Sequence, residues 1–237
     1  MLPTGFSINI AFMKRLFFAI ISFLPILTAA QKQVNQNEMQ HIYEQVKTPY
    51  KYGLVVAPED NNHKIDCPTV FRVGDKWMMT YVVYNGKGGT DGRGYETWIA
   101  QSDNLLEWKT LGRILSYKDE GWDCNQRGGF PALPDMEWGG SYELHKYKGK
   151  NWMTYIGGKG TGYEAVREPL NIGLAWSDRP LDKAFEWSTF DKPIISIYDK
   201  DAQWWEQMTE YKSTIYWDKS KRLGAPFVMF YNAGGLS

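Results

Sequence analysis

From about residue 65 onward the chain alternates short apolar runs with clusters of polar turn formers. Runs such as Trp77-Met78-Met79-Thr80-Tyr81 and Phe227-Val228-Met229-Phe230-Tyr231 are rich in β-branched and aromatic residues and bounded by Gly, Asp, Asn or Lys. That composition suits strands. Gly74-Asp75-Lys76 and Lys148-Gly149-Lys150 predict tight turns between a first and a second strand, and Asp218 to Leu223 predicts a longer one. A sustained helical period occurs only over Asn37 to Val46. The pattern predicts an all-β chain.

The strand runs also repeat. Trp77 to Tyr81 recurs as Trp152-Met153-Thr154-Tyr155 and as Phe227 to Tyr231, so that Tyr81, Tyr155 and Tyr231 stand 74 and 76 residues apart. A second element keeps the same phase: Ile99-Ala100-Gln101-Ser102-Asp103 leads to Trp108, and Gly173-Leu174-Ala175-Trp176-Ser177-Asp178 leads to Trp187. Each is followed by an apolar segment, Arg113 to Ser116 and Pro193 to Ser196. The repeating unit is three or four short strands, which cannot bury both faces alone and must stack on copies of itself; radial stacking makes a β-propeller. The units expected are residues 66–116, residues 141–196 with Ser141 to Lys146 as the innermost strand, and an incomplete third over 209–237.

The first residues have a different character. Met13-Lys14-Arg15, an apolar run from Leu16 to Leu27 and the small residues Thr28-Ala29-Ala30 have the order of a secretory signal peptide. The run is short of the ~20 residues that span a bilayer, so residues 1–30 are read as a removable leader and 31–65 as a lead-in segment. An exported chain, periplasmic or extracellular and without a membrane anchor after cleavage, is the expectation. In such a compartment Cys67 and Cys124 either pair or serve as small buried residues. Lys plus Arg and Asp plus Glu each number 27, so no field of one sign recruits nucleic acid. His41, His63 and His145 lack ligand spacing. No cofactor is expected, with a structural calcium left open.

The run Asp66-Cys67-Pro68-Thr69-Val70-Phe71, the Gly-Asp-Lys turn, Trp77 to Tyr81 and Ile99 to Trp108 together resemble a first blade of the five-bladed β-propeller glycoside hydrolases, families 43 and 32, and of the related family 130 mannoside phosphorylases. The resemblance covers residues 50 to 235. It implies a ring of five blades, of which this chain would hold about two and a half. It also implies a glycosidase acting on an oligosaccharide or polysaccharide, with a non-catalytic sugar-binding propeller or a phosphorylase as alternatives.

Cleaving a glycosidic bond calls for two carboxylates flanking it, one to protonate the leaving oxygen and one to act as base or nucleophile. The resemblance puts the first at Asp66, where an innermost strand opens, as base or nucleophile. It puts the general acid at Glu210. There Tyr211-Lys212 stand where family 43 has Gly-Pro, and alignment on Thr214-Ile215 leaves Glu210 one position out of register with Asp66, a slip that a bulge would have to absorb. Glu206 is the alternative. A third acid, tuning the others through its charge, falls to Asp135 or Glu137, and Arg127, in what reads as a Gly-rich loop, is a candidate grip on substrate. Aromatic residues make up 16% of the chain; Trp138, Trp204 and Trp205 lie outside the repeat and are the candidates for stacking on a sugar.

Overall fold

The computed structural model describes residues 34–47, 52–163 and 169–235; the leader expected over residues 1–30 lies outside them. Two compact units divide at Lys51 and Tyr52. The described part of the first holds helix α1 (Gln36–Val46), whose N-cap Asn35 accepts the Glu38 N–H at 2.9 Å. It begins one residue before the periodicity indicates.

The second unit is built of strands. β1 (His63–Val73), β2 (Lys76–Asn85), β3 (Tyr95–Ser102) and β4 (Lys109–Leu115) pair in sequence order as one antiparallel sheet. β5 (Gln126–Pro131), β6 (Asn151–Gly158), β7 (Asn171–Ser177) and β8 (Ser188–Thr189) form a second sheet of the same topology. β9 (Thr209–Trp217) and β10 (Phe227–Gly234) form a hairpin. These are two four-stranded propeller blades and half of a third. The repeat is real at the level of register: Tyr81, Tyr155 and Tyr231 occupy the second strands β2, β6 and β10, and the first two of them stand opposite Trp98 and Gly173 in the third strands of their blades.

Two strand positions differ from the sequence reading. The innermost strand of the second blade is Gln126–Pro131, and Ser141 to Lys146 is a loop that touches its surroundings through isolated bridges, Glu143 to Arg72 and Leu144 to Pro134. Gly128 and Gly129 make the true strand look like a loop. Their role is close approach: a Cβ on Gly129 would lie 2.3 Å from the Met153 sulfur, and one on Gly128 would lie 3.0 Å from Ile156. The fourth strand is Ser188–Thr189, while Pro193 to Ser196 contributes only a bridge from Ile195 to Ile172.

Apolar side chains of the first two blades interdigitate in one core. Phe71, Met78, Ile99, Ile114 and Leu115 pack with Met153, Tyr155, Ala175, Leu181 and Trp187. The Trp187 N–H donates to the Ile114 carbonyl at 2.9 Å, so backbone as well as side chains join the blades. The third hairpin attaches to the second blade through the Thr154 hydroxyl, which donates to Ser213 O at 2.9 Å, and the Leu133 N–H, which donates to Ile215 O at 2.8 Å. Cys67 and Cys124 are both free and half-buried.

Candidate functional site

The inner strands converge on one depression. Asp66 to Thr69 of β1, Phe130 of β5, Lys212 to Thr214 of β9 and Phe230 to Asn232 of β10 line an open cavity of about 420 Å³. All three inner strands contribute to its lining, together with the second strand of the third unit.

Asp66 stands at its wall. β1 carries a bulge between Asp66 and Thr69, and Cys67 within it has φ of 53°, the left-handed region that a non-glycine residue enters only under constraint. The bulge lets the Asp66 carboxylate fold back to accept the Cys67 N–H at 2.6 Å. Its other oxygen lies 3.9 Å from Lys212 Nζ, and about half of the side chain, 54%, is exposed. A fixed, solvent-reached carboxylate with a cation beside it is equipped to accept a proton or to attack.

Glu210 opens β9. A second bulge, between Ser213 opposite Tyr231 and Glu210 opposite Ala233, repeats the one in β1, three steps on the inner strand against two on its neighbour. Glu210 thus corresponds to Asp66 and Ser213, not Thr214, to Thr69, which removes the one-position offset of the sequence alignment. The Glu210 N–H donates to Leu170 O at 2.9 Å, while its side chain is wholly buried and neither carboxyl oxygen has a hydrogen-bond partner among the described residues. Burial first, then the charges of Glu206 and Asp199, push its pKa up to about 8; the Ile172 backbone N–H opposes this but is already bonded to Ile195 O at 3.1 Å. Glu210 therefore carries a proton at neutral pH.

Glu206 lies in a 3-10 turn, Trp204–Glu206, ahead of β9. It is buried and doubly held, accepting the Gln203 N–H at 2.5 Å and the Tyr231 hydroxyl of β10. Trp204 and Trp205 meet edge to face, ring centroids 5.5 Å apart, and both are exposed on the surface of this turn. Met208 N donates to Gly234 O at 2.9 Å, which ties the turn to the end of β10 and so to the same end of the inner strands as Asp66.

The remaining sequence candidates lie elsewhere. Asp135 follows β5 and closes a loop, accepting the N–H of Glu137 at 3.1 Å and both the N–H and hydroxyl of Ser141 at 2.7 and 2.6 Å. These bonds, the Ser141 hydroxyl foremost, pull its pKa down to about 2. The loop meets β1 at Arg72, six residues along the strand from Asp66, roughly 20 Å away at the rise of an extended chain. Trp138, exposed, and Glu137 belong to the same distant loop. Arg127 is in a strand and only 1% exposed, with Nε 3.2 Å from Asp123 and Nη1 2.6 Å from Glu186, as well as a bond to Ser116 O. It joins the blades and is closed to a substrate. The sequence reading did not single out Lys212, Tyr231 or the strained Cys67; Tyr231 sits at a repeat position that reads as core, and only its pairing with Glu206 distinguishes it. Among the described residues no group of three or more His, Cys, Asp or Glu is arranged to hold a metal ion.

No protein-family model and no curated protein matches the chain. Solved structures do. One, a complex of BT0996 with RGII, is 75% identical, with a TM-score of 0.83, over 86% of this chain and 58% of its own. A second, described as a glycoside hydrolase, agrees to the same extent in each measure. The chain thus spans rather more than half the length of these two structures.

Proposed function

The chain is a relative of the propeller-type glycoside hydrolases, and from that premise we propose that it supplies the carboxylates with which an exported glycosidase cleaves a glycan. The observation that carries this reading is the 75% identity with a glycoside hydrolase across 86% of the chain. Asp66 serves as base or nucleophile, and Glu210, protonated at neutral pH, is the acid that protonates the leaving oxygen. Trp204 and Trp205 present apolar faces on which a sugar ring stacks. The complex of one relative with RGII supports an oligosaccharide or polysaccharide substrate. Export rests on the leader-like sequence of residues 13–30.

Aryl glycosides and oligosaccharides provide the test. Asp66→Asn removes nearly all turnover and leaves the fold intact, because the amide keeps the shape but can neither take up a proton nor attack. Glu210→Gln loses turnover on natural glycans and regains part of it on nitrophenyl glycosides, whose leaving group needs no proton. Normal rates in both variants overturn the assignment. One observation favours a second reading, a propeller that binds glycans without cleaving them: the Glu210 carboxyl has no exposed surface while Asp66 stands open. Tight glycan binding by calorimetry, with no reducing ends released, selects that reading.

A further inference from the structure

Trp138 and Tyr142 are exposed aromatic residues of the loop after β5, at the end of β1 away from Asp66. Trp138 tops a tight turn: the Gly140 N–H donates to Glu137 O at 2.9 Å, and Gly139, third in the turn, takes a φ of 72° that a side chain would resist. Asp135 clamps the turn from within by accepting the Glu137 N–H and both the N–H and hydroxyl of Ser141. Tyr142 has a φ of 59°, and its carbonyl accepts the Arg72 N–H at 2.8 Å, which fixes it against β1. A tyrosine stays in that region only where its surroundings over-determine it. Its ring centroid lies 5.6 Å from that of Trp77, and the Arg72 guanidinium lies 5.1 Å from the same Trp77 ring. Trp138 is left with 66% of its surface open to water.

We propose that Trp138 and Tyr142 form a second glycan-binding platform, at the far end of β1 from Asp66, which holds the protein on a polysaccharide independently of the Asp66 cavity. The choice of a glycan as ligand rests on the reading of the chain as a glycosidase, whereas the platform itself uses neither Asp66 nor Glu210. A sugar ring offers an apolar C–H face rimmed by hydroxyls. The loop matches both parts: the indole and phenol rings take the apolar face, and the exposed side chains of Glu137, Ser141 and Glu143 stand between and beside them as hydrogen-bonding groups. A protein partner fits less well. A standard interface takes about 800 Å² from each side and keeps charge from its centre, whereas here Glu137 and Ser141 interrupt the exposed apolar side chains of Met136, Trp138 and Tyr142. Because the turn and the stack on Trp77 are already formed, binding has little left to order and keeps the gain from stacking.

Affinity electrophoresis of the full chain tests this, in native gels containing soluble arabinan, pectin, xylan or mannan, each run against a gel without polysaccharide. Asp66→Asn serves as the reference chain, so that no polysaccharide is consumed during the run. The reference chain is retarded in at least one gel. Trp138→Ala in that background loses most of the retardation, a fall in affinity of about tenfold or more, and Trp138→Tyr keeps part of it. Tyr142→Gly, which removes the ring and relaxes the backbone, weakens it as well. A chain carrying Trp204→Ala and Trp205→Ala stays retarded, because those residues lie apart from the loop. Free migration of the reference chain in every gel overturns the proposal, as does equal retardation with and without Trp138, which would put all binding at the cavity. A lower mass of Trp138→Ala by light scattering, with migration unchanged, also overturns it and marks the loop as a contact between copies. The two readings fail separately. Retardation that depends on Trp138, in a chain that hydrolyses no aryl glycoside or oligosaccharide, sinks the glycosidase reading alone; hydrolysis with migration indifferent to Trp138 sinks the platform alone.

Discussion

A glutamate side chain with no exposed surface and no hydrogen-bond partner among the described residues is more stable with its proton than without it, and that preference is written into the stability of the fold. An unfolded Glu210 titrates near 4.5 and the folded one near 8. Between these values the native state binds more protons than the unfolded one, so stability is full below about pH 4.5 and falls as pH rises through 8. Melting temperatures at pH 5, 7 and 9 should decline in that order on account of this group, and Glu210→Gln, which cannot ionise, should flatten the decline and leave the variant the more stable at pH 9. Arg127 poses the opposite case. Arg127→Leu takes the guanidinium from buried Asp123, which keeps Lys118 at 3.0 Å and the Tyr155 hydroxyl at 2.9 Å, and denaturant titration should register a loss of about 1–3 kcal/mol. Asp135→Asn should loosen the loop to Ser141 and leave turnover unchanged, since that loop lies at the far end of β1.

At the scale of elements, the sequence was legible where side chains follow the period of a strand and illegible where the backbone departs from it. The second and third strands of each blade were visible because Trp77 to Tyr81 and Ile99 to Ser102 are short runs rich in strand formers that recur in phase. β5 was hidden because Gly128 and Gly129 carry no side chain to reveal a period; their signal is a close approach to Met153 and Ile156, which only the packed blade displays. The candidate acids divide in the same way. Asp66 and Glu210 stand at corresponding places ahead of matching bulges, but the sequence showed them one position apart because Thr214 imitates Thr69, whereas the register makes Ser213 its counterpart. Asp135 and Arg127 were misplaced together, because locating the innermost strand at Ser141 to Lys146, well past the observed Gln126–Pro131, moved the loop after β5 to the start of an imagined strand. Gly129→Ala tests the account of β5: with the Met153 sulfur 2.3 Å from the added carbon, stability should fall by about 1–3 kcal/mol, whereas an alanine in a true loop would cost little.

For the whole molecule the issue is what the outermost hairpin faces. β10 pairs only with β9 among the described strands, and Phe230 on it is 59% exposed. An unpaired edge beside an exposed aromatic residue invites association with a second edge. Light scattering of the 237-residue chain should report concentration-dependent growth in mass, and Phe230→Lys should suppress it by putting a charge on the edge.

The junction between the first two blades carries a final consequence. Ser116, Asp123 and Arg127 come from one short stretch of chain and Glu186 from a distant one, and one cluster of ion pairs and backbone bonds draws them to a single point over a shared core. Ser116, at the end of the first blade, bonds Glu186 and Arg127 of the second through its N–H and carbonyl, and the blades share an apolar core, so neither can open there without exposing the other. The amide hydrogens of β2 and β6 should therefore exchange with solvent as one set, at a common rate set by a single opening event, while those of β9 and β10, joined to the rest by fewer bonds, exchange sooner. Modular as the repeat looks on paper, its first two copies would then unravel as one foldon.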